Sequence, residues 1–129
     1  MSVYSHLSGK ESTPQKKLYP SIKFWGVRGS VPTPGAATAF YGGNTPCIEI
    51  LAGQQRFIFD GGTGLRMLGE ALCQVPKPVE GHLFFTHTQW DRIQGFPFFL
   101  PAFEPGNHFH IYGGTAANGA SIKQRLTTQ

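Results

Sequence analysis

The sequence predicts a small α/β domain built mostly of short strands. Three observations carry that expectation. Five segments of five or six residues are rich in β-branched and aromatic side chains. One stretch, from Thr63 to about Cys73, repeats its leucines at helical spacing. Finally, 17 glycines and 10 prolines in 129 residues punctuate the chain too often for long helices. A chain of this length holds one modest core, and its 40% hydrophobic residues suffice to fill it, which excludes wholesale disorder.

Residues 1–20, MSVYSHLSGKESTPQKKLYP, show neither a period of two nor one of 3.6 and carry Lys10, Lys16 and Lys17, so they read as a disordered basic leader. The folded unit is expected over residues 21–129. Its first strand is Ile22 to Val27, followed by a long Gly/Pro/Ser/Thr loop from Arg28 to Thr45; loops of more than about 12–15 residues are commonly site walls or floppy excursions. Cys47 to Leu51 and Arg56 to Asp60 are strands whose four-residue link, Ala52-Gly53-Gln54-Gln55, makes them an antiparallel pair. The helix from Thr63 carries Leu65, Leu68 and Leu72 on one face and ends before Pro76 and Pro78. His82 to Thr86 reads as a strand buried on both faces, and His108 to Tyr112 as the last strand. Asn118 is the expected N-cap of a short final helix.

Composition narrows the function. Eleven Lys and Arg against seven Asp and Glu give a net charge of +4, which favours anionic ligands such as phosphates. Trp90, Phe96, Phe98, Phe99 and Phe103 are interleaved with prolines and no cation after Arg92, so they read as core packing and not as a nucleic-acid platform. Cys47 and Cys73 lack Cys-x-x-Cys spacing, which indicates neither a disulfide framework nor a thiolate zinc site and makes a reducing cytoplasm the default location. The apolar run Phe96 to Phe103 is broken by Pro97 and Pro101 and falls far short of the roughly 20 residues of a membrane span.

The chemistry-bearing segment is His87-Thr88-Gln89-Trp90-Asp91-Arg92, directly after the fourth strand. His87 and Asp91 at a rigid strand end can converge on a metal, but their spacing fits a His–Asp hydrogen bond equally well, because zinc sites need three or four ligands. Gly61, Gly62 and Gly64 allow a tight turn at a helix N-terminus, where the Gly62 amide and its neighbours can receive an anion. Arg28, Ser30, Asn44 and Thr45 add donors suited to phosphate, and Arg92 adds a fixed positive charge. Asp60 either caps the helix at Thr63 or buttresses the site. His108 and His110 share one strand face, as a ligand pair or as outward polar residues of an edge strand.

Four segments, FWGVRGSVPTPG from Phe24, YGGNTPCIEI from Tyr41, FIFDGGTGLRMLG from Phe57 and FFTHTQWDRIQGFPFF from Phe84, resemble the metallo-β-lactamase superfamily, in particular its phosphodiesterase-like branch. The resemblance runs from Ile22 to Tyr112 and implies the N-terminal half of an αββα sandwich, a mixed sheet with one or two helices. It implies zinc or another divalent metal, held in that family by His-x-His-x-Asp-His, whose ions activate water for attack. His87 and Asp91 match the motif, so the resemblance makes them metal ligands and Asp91 catalytic. Gln89 and Arg92 stand at the other two ligand positions, where an amide oxygen is a poor zinc ligand and a guanidinium is none. The resemblance therefore implies a hydrolase-derived protein that is impaired or inactive, with zinc or another divalent metal if any, or none. Two other readings stay open: a phosphate- or nucleotide-binding regulatory module, and a hydrolase completed by a partner chain. Half a sandwich also implies an exposed sheet face through which the chain self-associates.

Overall fold

The computed structural model describes residues 19–128. Five strands, β1 (Ser21–Gly26), β2 (Cys47–Ala52), β3 (Gln55–Phe59), β4 (Glu80–Phe85) and β5 (His108–Gly113), form one mixed sheet in the order of the sequence. β1, β2 and β3 are antiparallel neighbours; β3, β4 and β5 run parallel. Helix α1 (Gly64–Leu72) connects β3 to β4, the single turn α2 (Trp90–Ile93) and two 3-10 turns connect β4 to β5, and α3 (Ile122–Thr127) follows β5. The fold is thus α/β, as expected, with every anticipated strand present. The leader expected over residues 1–20 lies outside the described residues apart from Tyr19 and Pro20.

Connection geometry decides where the core sits. The β2–β3 link is a tight hairpin around Gly53 and adds no cover to either face. Parallel neighbours need crossovers, and successive crossovers of one hand that step in one direction along a sheet lie on the same face. Accordingly α1 and the 3-10 segments share the inner face, where Leu65, Leu68 and Leu72 meet Ile58, Leu83, Phe85 and Phe99. Ile122 and Leu126 of α3 pack against the same cluster.

The single-sided core corrects two expectations. β4 is not buried on both faces: Gly81, Leu83 and Phe85 are buried, whereas His82 and Phe84 on the opposite face are only half covered. The aromatics after β4 are not mainly core. Phe99 is buried and Phe96 half-buried, but Trp90, Phe98 and Phe103 are exposed, because the paired prolines wind this stretch into 3-10 turns that turn alternate rings outward. The final helix also begins later than expected. Asn118 closes a local turn by accepting from Ala120 N–H, and Ser121 caps α3 through a reciprocal capping box with Gln124.

The inner face also carries a polar margin. Glu49 is buried and accepts from Trp25 Nε1 at 3.2 Å and from Arg56 Nε at 2.8 Å, so its charge is paired and hydrogen-bonded. Beside it Cys47 is wholly buried, and burial, reinforced by Glu49 and Asp60, pushes its thiol far above the usual range. A folded thiol that holds its proton while the unfolded one loses it near about pH 8.5 makes stability fall as pH rises beyond that point.

Two outcomes follow. In native protein at mildly alkaline pH, a thiol reagent labels the half-exposed Cys73 and leaves Cys47 unmodified until denaturant is added; rapid labelling of both would contradict this packing. Leu65→Ala lowers stability by about 3 kcal/mol in urea titration, because Leu65 is fully enclosed between helix and sheet.

Candidate functional site

β1, β3, β4 and β5 all point the same way, so the loops following them gather at one end of the sheet. Ligand sites of α/β sheets lie at the carboxyl ends of parallel strands. That end brings together Ser30, Asp60 and the segment that carries Thr86, His87, Asp91 and Arg92, three stretches that are far apart in sequence.

Asp60 is the hub. It follows β3 with a φ of 66°, a left-handed conformation that few non-glycine residues adopt and that concentrates at functional sites. Its carboxylate is buried and saturated. Thr86 N–H donates to Oδ1 at 2.8 Å, the Thr86 hydroxyl lies 2.9 Å from both oxygens, and Arg92 Nη1 donates to Oδ2 at 2.6 Å. No capping bond runs from Asp60 to α1; N-cap Thr63 caps with no side chain either. Asp60 thus does not cap α1, and its contacts tie the ends of β3 and β4 to α2.

Backbone pairing locks the two loops together. Gly61 N–H donates to Arg92 O at 2.6 Å, and Gly95 N–H donates back to Gly61 O at 2.8 Å. The approach is so close that a Cβ on Gly95 would lie 1.9 Å from Gly62 O, so only glycine fits. This clamp was invisible as a pairing in the sequence.

The expected anion nest is closed. Gly62 N–H is used by Pro46 O and Gly64 N–H by Thr45 O. Thr45 is buried, its hydroxyl accepting from Thr63 N–H at 2.8 Å and from Gln94 Nε2 at 3.1 Å, while Asn44 Oδ1 accepts from the Thr63 hydroxyl. Asn44, Thr45 and Gly62 therefore form a hydrogen-bonded wall, not a phosphate cradle. Arg28 stands apart from the strand-end site, with Nε bonded to Val31 O, beside a separate depression within the 28–42 loop. Ser30 does reach the site, its N–H donating to Asp91 Oδ2 at 3.2 Å.

The metal candidates are arranged differently from a ligand set. His87 does not bond Asp91; its Nδ1 lies 3.2 Å from Gln89 N–H and accepts from it, which spends that lone pair locally. Asp91 is tied to Ser30, and Arg92 Nε lies 3.9 Å from Asp91 Oδ2. That Nε is buried with no hydrogen-bond partner among the described residues. Among the described residues no group of three or more His, Cys, Asp or Glu is disposed to hold a metal ion. A donor set of one imidazole, one carboxylate and an amide, with a guanidinium beside the carboxylate, does not fit a dinuclear metal site.

What the strand end does offer is a cleft of about 320 Å³ lined by Thr86, His87, Thr88, Gln89, Thr115 and Arg125. No carboxylate lines it, and Arg125 forms no ion pair among the described residues. Arg125 and Thr115 arrive from beyond β5 and carry no motif that sequence reading could have caught. Thr86, by contrast, sits at the predicted strand end one residue before His87.

No family model matches the chain, and neither the curated proteins nor the solved structures contain a match to it. No helix among the described residues is long and apolar enough to cross a membrane.

Asp60→Ala lowers stability by about 3 kcal/mol, since it strands Arg92 and Thr86 together, whereas Asp91→Ala, which loses one backbone hydrogen bond, costs about 1 kcal/mol. Paired urea titrations check this, and the reverse ranking would remove Asp60 from the centre of the site.

Proposed function

We propose that this chain is a metallo-β-lactamase-like module of phosphodiesterase ancestry that binds a phosphate-containing small molecule at its strand ends and does not hydrolyse it. The observation that carries the reading is the Arg92–Asp60 pair at 2.6 Å. A guanidinium stands at a position where the resemblance places a metal ligand, and it neutralises the carboxylate that would otherwise attract a cation. A water molecule there would meet a neutralised ion pair and not a divalent cation able to generate hydroxide at neutral pH.

The neighbouring cleft supports the binding half of the reading. The Thr88 and Thr115 hydroxyls, the Gln89 amide, the exposed His87 and Arg125, which forms no ion pair among the described residues, present donors to one volume without an opposing carboxylate. Charge-assisted bonds from an arginine are the strongest contacts such a cleft can offer a phosphate. The volume falls at the small end of ligand pockets, which suits a phosphomonoester or a mononucleotide better than a polymer.

Calorimetric titration with inorganic phosphate and with adenosine monophosphate tests the proposal. Saturable binding is expected for at least one of them, weakened about tenfold by Arg125→Ala, a loss in line with one hydrogen bond to a charged group. In parallel, protein equilibrated with zinc or manganese should retain far less than one ion per chain by elemental mass spectrometry and turn over no model phosphodiester. Stoichiometric metal with chelator-sensitive turnover would restore the hydrolase reading, and no binding of either anion would remove the module reading.

A further inference from the structure

We propose that the outer face of the sheet is a homodimer interface, on which a second copy of this chain packs sheet to sheet. The inference does not depend on phosphate binding.

Strand register places two full rows of side chains on that face, with Ala52, Gln55, Glu80 and His108 in a partial third row at its margin. The first row runs Phe24, Ile48, Phe59, Phe84 and Tyr112 across β1 to β5; the second runs Ile22, Ile50, Phe57, His82 and His110. Every strand thus contributes two members, and neither row contains Asp, Glu, Lys or Arg. Ile22 is 59% exposed, Phe24 63% and Tyr112 42%, although isolated chains seldom leave so many large apolar groups side by side.

The rings are ordered. Tyr112 stacks on Phe84 at 4.6 Å and Phe84 on Phe59 at 5.2 Å, with interplanar angles of 12° and 17°. His110 stacks on His82 at 5.0 Å and His82 on Phe57 at 5.5 Å, and His82 Nδ1 lies 3.0 Å from the Tyr112 hydroxyl. Ring faces are therefore turned towards neighbouring strands, and ring edges point outward. Base stacking requires open faces, so this surface does not suit a nucleic acid. It suits a partner whose side chains enter the grooves between parallel ridges.

Three features select a second copy as that partner. The ridges repeat at the strand spacing of about 4.8 Å, and a copy carries the same repeat, as an isologous twofold contact requires. The chain has a net charge of +4, but these rows contribute none of it, so two copies meet here without the repulsion that other surfaces would impose. Five strands of about six residues make a plate of roughly 24 by 20 Å, a planar area of about 480 Å² that standing rings enlarge towards the ~800 Å² per partner of a stable interface. Aligned sheets would then pack about 10 Å apart.

Size-exclusion chromatography with light scattering, from low to high micromolar chain, reads the result. Wild type should elute as a species of twice the chain mass. Phe24→Glu and Tyr112→Lys, made separately, should weaken the dimer at least about tenfold while leaving the far-ultraviolet circular dichroism unchanged, because neither side chain belongs to the inner core. If one variant fails to fold, the other carries the test. A monomeric wild type overturns the proposal, as does a ladder of larger species or a dimer that both variants preserve. A monomer that floats with phosphatidylcholine vesicles would overturn it as well and assign the face to lipid.

Discussion

The architecture of the strand end depends on one buried carboxylate. Asp60 leaves β3 in a conformation that costs energy, and it is held there because both of its oxygens are occupied, by Thr86 at the end of β4 and by Arg92 of α2. A carboxylate with so many donors fixes three elements relative to one another. The reciprocal backbone bonds between Gly61, Arg92 and Gly95 then have no freedom to shift. The position of His87 and the shape of the adjoining cleft follow from that arrangement, since the loop carrying them is anchored on both sides.

The same pair is what favours an anion over a cation in the proposed reading of the site. An unpaired buried Asp60 would draw positive charge into the strand end. Arg92 supplies that charge from within the chain and, unlike a bound ion, does so without a free coordination position. In the neighbouring cleft Arg125 stands with hydroxyl and amide groups around it.

Much of the fold was legible from the sequence because its signals are local. Runs of β-branched and aromatic residues bounded by Gly and Pro marked the strands, and Leu65, Leu68 and Leu72 marked α1. The positions of Asp60, His87, Asp91 and Arg92 at strand ends were legible for the same reason. Their partners were not. Asp60 and Arg92 are separated by 32 residues, and nothing in either neighbourhood states that they meet. The anion nest at Gly62 was misread because an amide that looks free in a glycine-rich turn had been taken by the carbonyl of Pro46. The burial of β4 was misread because an aromatic strand in a one-sided sheet has the same composition as one in a two-sided sheet, and only the route of the crossovers distinguishes them.

Strand order that matches chain order has a kinetic consequence. The hairpin of β2 and β3 needs only a two-residue turn, so it can assemble from adjacent pieces of chain. The other three strands add to it only after much longer loops have closed, β1 across residues 27–46, β4 across residues 60–79 and β5 across residues 86–107. The hairpin is therefore the local seed of the sheet, and the Asp60 junction forms at the step where β4 docks. Until that step the edge of β3 is unpaired and open to pairing with the wrong chain.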